Sequence, residues 1–118
     1  MVLVDTSVWV EHLRYKRKEL SSLLINGQVY CHPFVIGELA CGNLQNRTEI
    51  LGLLASLQRP VMTEGTEALE FIESNKLYGR GLGWIDVHLL SSALITGIKL
   101  WTLDRRLRKV AVEFGLAY

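Results

Sequence analysis

Val2-Leu3-Val4-Asp5-Thr6-Ser7 decides how the rest of the chain is read. Three apolar residues, two of them β-branched, end at once in an acid and two small hydroxyl residues. An unbroken apolar run of this kind predicts a strand buried on both faces, as in a parallel sheet. In an open α/β sheet, ligands bind beyond the carboxyl ends of the strands, so the strand delivers Asp5 to the working edge. The chain has only three aspartates, Asp5, Asp86 and Asp104, and each follows an apolar stretch and precedes a helical pattern. Our reading is that they meet in space, with Glu38, around a metal ion.

Outward from that stretch, strands and helices alternate. Val8 to Leu13 predicts a short helix capped by Thr6 or Ser7. A basic block, Arg14 to Lys18 around Tyr15, follows it. Leu20, Leu23, Leu24 and Ile25 stripe a second helix that Asn26-Gly27 closes. Val29-Tyr30-Cys31 predicts a second strand, and Pro33 suits the first turn of a helix reaching Cys41 with Glu38 among its apolar residues. Further helices are expected over Arg47 to Leu57 and from a Thr66 cap, with a third strand at Pro60-Val61-Met62 between them. A long apolar helix starts near Trp84 and stops at Gly97. Ile98 to Thr102 predicts the fourth strand, Asp104 opens the last helix, and residues 115–118 add an edge strand. This order predicts an α/β three-layer sandwich with a central parallel sheet and the first strand near its middle.

At 118 residues there is room for one domain, 1–118, and an apolar fraction of 49% is ample for a core. A formal net charge of +1 does not by itself announce a nucleic-acid partner. Two cysteines without C-x-x-C spacing argue against a disulfide framework or a zinc site. No apolar run approaches a membrane span and no leader precedes the first strand, so a cytoplasmic location is expected.

Any one of the aspartates also fits a helix N-cap. Two features weigh against that account for the set. Thr6 and Ser7 are available to cap the first helix without Asp5, and Glu38 stands mid-helix, where no cap is needed and an unpaired buried carboxylate is costly. Converging carboxylates repel one another, and a divalent cation removes the repulsion. All-oxygen ligands suit Mg²⁺ or Mn²⁺. Such an ion makes a water more acidic and stabilises phosphoryl charge, which points to phosphodiester hydrolysis. Ser7 and Thr102 are expected to hold an acid or a water. Arg80, in the Gly79–Gly83 loop, and Arg105, beside Asp104, are candidates for substrate contact.

Four stretches in order, Val4-Asp5-Thr6-Ser7, Gly37-Glu38-Leu39, Trp84-Ile85-Asp86-Val87-His88-Leu89-Leu90 and Leu100-Trp101-Thr102-Leu103-Asp104, resemble the acidic motifs of PIN-domain ribonucleases. Their spacing and the chain length look like the VapC toxins of toxin–antitoxin pairs. The resemblance implies a Mg²⁺- or Mn²⁺-dependent endoribonuclease, a homodimer, and inhibition by a small VapB antitoxin. By position it makes Asp5, Glu38 and Asp86 the core acids and Asp104 a fourth, more variable one. A receiver domain would need an acceptor Asp after the middle strand, where Thr63-Glu64 stands. A haloacid-dehalogenase-like phosphatase would need Asp where Ser7 is. The rival that survives is a PIN-like module that binds RNA or protein without cutting.

Overall fold

The computed structural model describes residues 1–118. Strand β1 (Val2–Val4) is buried at all three residues. It pairs in parallel with β2 (Val29–Tyr30) on one side and β3 (Lys99–Trp101) on the other, in the order β2-β1-β3. Val2 lies opposite Val29 and Lys99, and Val4 lies opposite Trp101. The ladder runs one residue past β1, because Asp5 N donates to Trp101 O at 2.9 Å. Isolated parallel bridges, Tyr30 to Gln58 and Leu100 to Ala117, widen the sheet at both edges.

Seven helices flank the strands: α1 (Thr6–Tyr15), α2 (Lys18–Ile25), α3 (Pro33–Cys41), α4 (Arg47–Ser56), α5 (Gly65–Asn75), α6 (Trp84–Thr96) and α7 (Arg105–Glu113). The core gathers the strands with Val8, Leu20, Val35, Leu89, Leu90 and Leu107, all fully buried. Helix α6 is buried continuously from Val87 to Ala93. That is the mark of a helix enclosed on all sides rather than one with a single wet face. Leu94 is exposed at the end of that run.

Three local expectations need correcting. Pro60-Val61-Met62 forms no strand: the sheet edge passes through Gln58, whose carbonyl accepts from Cys31 N at 2.8 Å. Pro60 lacks an N–H, and the Val61 N–H goes to Thr96 Oγ1 instead. Thr66 does not cap α5, which begins one residue earlier, and Glu67 Oε1 accepts from Glu64 N at 3.0 Å. Neither Thr6 nor Ser7 caps α1, because both already lie in its first turn.

His32 caps α3, its Nδ1 accepting from Phe34 N at 2.9 Å. Its ring lies 6.4 Å from that of His88, although the two are far apart in the chain and no pair was expected. Both rings are buried, and neither Nε2 has a partner. Burial, helped by the neighbouring His88, lowers the His32 pKa to about 4. A folded pKa below the unfolded one contributes stability above the unfolded value, and this is lost as pH falls through the folded one. Acidifying from neutrality to about pH 4.5 is therefore expected to cost up to roughly 3 kcal/mol, read from thermal melts. His32→Asn keeps an acceptor for Phe34 N and should flatten this acid limb. An unchanged limb in the variant would assign the loss elsewhere.

Candidate active site

Asp5 is 6% exposed at the carboxyl end of β1. Its Oδ2 accepts from Ser7 Oγ and from Thr102 Oγ1, each at 2.7 Å. The hydroxyl oxygens in turn accept backbone N–H groups: Leu103 N to Ser7 Oγ and Asp104 N to Thr102 Oγ1, both at 3.0 Å. Each hydroxyl therefore has one proton to give and gives it to Asp5. The carboxylate is locked in place by its Oδ2 while Oδ1 has no protein partner. Charge-assisted bonds of this type are about twice as strong as neutral ones.

The other acids share this division of labour. Asp86 Oδ2 accepts from Gly83 N at 2.8 Å, closing the start of α6. Asp104 caps α7, its Oδ1 accepting from Arg106 N at 2.9 Å and Leu107 N at 3.0 Å. Glu38 Oε1 accepts from Thr6 Oγ1 at 2.6 Å. The helix-cap account thus holds for Asp104 and for one oxygen of Asp86, but Asp5 makes no cap bond. Glu38 stands on the exposed side of α3, so the burial cost expected for it does not arise. Thr6 is a contact the sequence reading missed; its signal was a second hydroxyl directly after Asp5. Every one of the four acids spends one oxygen on the fold and leaves the other without a protein partner.

The four carboxylates also sense each other. Burial pushes the Asp86 carboxyl above the ordinary carboxylate range, and the charges of Asp5, Asp104 and Glu38 push it further, against the Gly83 N–H. No three acids are spaced as a ready metal-binding set in this structure. The donors still fit a hard cation: they are all oxygens, four are free, and Mg²⁺ ordinarily keeps several waters between itself and its carboxylates.

A profile of the PIN domain matches residues 2–113. This chain belongs to the PIN-domain family. The PIN domain is 49% identical over 119 residues to Ribonuclease VapC32 of Mycobacterium tuberculosis, in strains CDC 1551 / Oshkosh and H37Rv alike, which covers 99% of this chain and 95% of each relative. Its fold is shared with PAE2754 of Pyrobaculum aerophilum, a crystal structure matched with a TM-score of 0.61 at 17% identity over 97% of this chain and 88% of that one.

Around the acids of this PIN domain the basic residues divide. Arg80, expected as a substrate contact, is engaged by Glu113 of α7 through two bonds of 2.8 and 2.5 Å. Arg106 lies over Gly81, whose φ is +79°, where a Cβ would fall 2.6 Å from Arg106 Cδ. These two contacts pin the glycine loop onto α7. Arg105 is exposed and makes no ion pair or hydrogen bond. In the first basic block, Arg17 is bonded to Glu11 at 3.0 Å and lies over the Trp101 ring at 5.1 Å. Trp9 and Trp101 are core residues, whereas Trp84 is exposed at the start of α6 with its ring edge-on to His88.

Proposed function

We propose that this PIN domain is a metal-dependent endoribonuclease and the toxin of a toxin–antitoxin pair. One observation carries the reading: four acids, each with one oxygen tied into the fold and one free, stand at the carboxyl end of the central strand. The 49% identity to Ribonuclease VapC32 supports RNA as the substrate. Asp5, Asp86 and Asp104 would hold Mg²⁺ or Mn²⁺, with Glu38 beside them. When bound, such a cation offsets phosphoryl charge and makes a water more acidic. The chain's own part is positional. Ser7 and Thr102 fix Asp5, Gly83 fixes Asp86, and the low-mobility carboxylates pre-set where the scissile phosphate sits. Hydrolysis adds the water oxygen to phosphorus and releases the ester oxygen with a proton.

A VapB-like antitoxin is the proposed inhibitor. A homodimer is supported by exposed Val61, Met62, Leu94 and Ile95, where the segment after Gln58 meets the end of α6. No helix is long and apolar enough to cross a membrane, and the proposed place of action is the cytoplasm. Arg105 is proposed as a substrate contact.

The test is incubation with total cellular RNA, with Mg²⁺, Mn²⁺ or chelator, followed by mapping of new RNA ends. Discrete ends that vanish with chelator are expected. No cleavage with either ion, while metal still binds, would favour the silent RNA- or protein-binding module instead. Thr102→Val removes one of the two bonds fixing Asp5 and should slow cleavage by about ten- to a hundredfold. Loss of a buried bond to a charged group should also cost about 1–3 kcal/mol of stability. A rate equal to wild type would remove Thr102 from the site.

A further inference from the structure

A groove of about 700 Å³ opens directly beside the acids, between α1, α3 and the 42–46 loop. Two of its lining residues are Thr6 and Glu38, the pair joined by the 2.6 Å hydrogen bond, so groove and acid cluster are continuous. The apolar part of its lining, here called the floor, is Val10, Leu13, Leu39, Leu44 and Ile50. Its rim is polar. Asn43 and Gln45 line it with exposed amides that make no hydrogen bond within the chain, and Arg14 lines it without any carboxylate partner.

The loop carrying the amides is held firmly. Arg47 donates to Ala40 O and to Gly42 O, and Asn46 turns the chain into α4 through a left-handed φ of 52°. Side chains that are free on a backbone that is fixed are arranged for reading a partner rather than for supporting the fold.

We infer that this groove is a subsite for one nucleotide of single-stranded RNA flanking the scissile bond, with Asn43 and Gln45 reading the edge of its base and Arg14 holding its phosphate. The inference rests on the nuclease reading above. The chemistry matches group by group. An unstacked base offers a flat apolar face to the floor. Asn and Gln amides each present a donor and an acceptor, the pattern that pairs with base edges. A guanidinium with no partner in the protein suits a phosphate. An apolar peptide segment is the competing occupant; its backbone can pair with the two amides, but it offers no anion to Arg14, and the groove's continuity with the Thr6–Glu38 pair favours the substrate. Sequence-specific RNA recognition targets single strands whose bases can be splayed in this way.

The experiment uses the full chain and a single-stranded RNA pool with a randomised centre, with Mg²⁺ or Mn²⁺ present. Cleavage ends are sequenced for wild type, Asn43→Ala, Gln45→Ala and Arg14→Ala, and melts establish that each variant is folded. Wild type is expected to prefer particular bases at one position beside the cut. Either amide variant should reduce that preference by about tenfold. Arg14→Ala should raise KM for all sequences together and leave the preference standing. Folded amide variants that cut with the wild-type preference overturn the inference, as does a wild type with no base preference beside the cut. The peptide alternative would appear as variants that keep the cleavage pattern but resist inhibition by a bound protein, and this also overturns it. A wild type that fails to cut the pool with either cation removes the nuclease reading and this subsite with it. Variants that cut with unchanged preference remove the subsite alone.

Discussion

Asp86→Asn is expected to lower RNA cleavage by about 10³-fold while melting no lower than wild type. The two halves of that expectation come from the two oxygens of one carboxylate. Oδ2 accepts from Gly83 N at 2.8 Å, and an Asn amide oxygen accepts the same bond, so the start of α6 survives. What disappears is a full negative charge in the site, where stabilisation of several kcal/mol corresponds to about three decades in rate. The pH behaviour separates the halves. The Asp86 pKa is raised by burial and by Asp5, Asp104 and Glu38, so the folded state carries a penalty for ionising it. A raised folded pKa contributes stability that is present below the unfolded value and lost as pH rises through the folded one. At neutral pH without divalent cation, Asp86→Asn escapes that loss and should melt above wild type. In acid, where Asp86 is protonated in both states, the advantage should vanish. Added Mg²⁺ or Mn²⁺ should raise the wild-type melt more than the variant's. A variant that cleaves at the wild-type rate, or melts several degrees lower near neutrality, contradicts the assignment.

The largest stability loss is expected at Leu3→Ala. Leu3 has no exposed surface and sits in the middle strand, opposite Tyr30 on one side and Leu100 on the other. Truncating a buried leucine loses its transfer energy and leaves a cavity that neighbours on both sides can only partly fill, a cost of about 2–5 kcal/mol. For a domain of this size the midpoint should fall by on the order of 10 °C. Leu53→Ala, a change of the same chemistry on the 58%-exposed Leu53, should stay within about 0.5 kcal/mol. Denaturant melts of the two variants decide the point. A Leu3→Ala loss below about 1 kcal/mol would mean that the sheet centre repacks freely, and the rigid support inferred for Asp5 would fail with it.

The elements readable in the sequence were those whose local chemistry agrees with their place in the fold. Val2–Val4 is apolar on both faces and is enclosed on both. Pro33 and Gly97 mark the start of α3 and the end of α6 because one fits a first turn and the other adopts a positive φ. The Pro60-Val61-Met62 stretch has strand-like residues, but whether they join the sheet depended on a hydroxyl from Thr96 that no local pattern reveals. Similarly, Ser7 and Thr6 have the right chemistry for caps, but α1 begins at Thr6, and both hydroxyls instead donate to acids brought near by the fold. The four acids could be proposed as a set from their order along the chain. That each divides its oxygens between fold and site could not, since the division depends on backbone N–H groups whose positions are set by tertiary structure. The pairing of Arg80 with Glu113 was hidden for the same reason.

Asp5 is held by Thr102, a residue from the opposite end of the chain, and β1 is closed on one side by β3. During synthesis the amino-terminal part emerges first and folds as it can. Asp5 leaves the ribosome almost at once but has no second anchor until Thr102 follows it out, and Asp104 comes later still. A nascent chain is therefore harmless for nearly the whole of its own translation. The cutting edge is completed among the last events, when Thr102 and Asp104 join Asp5.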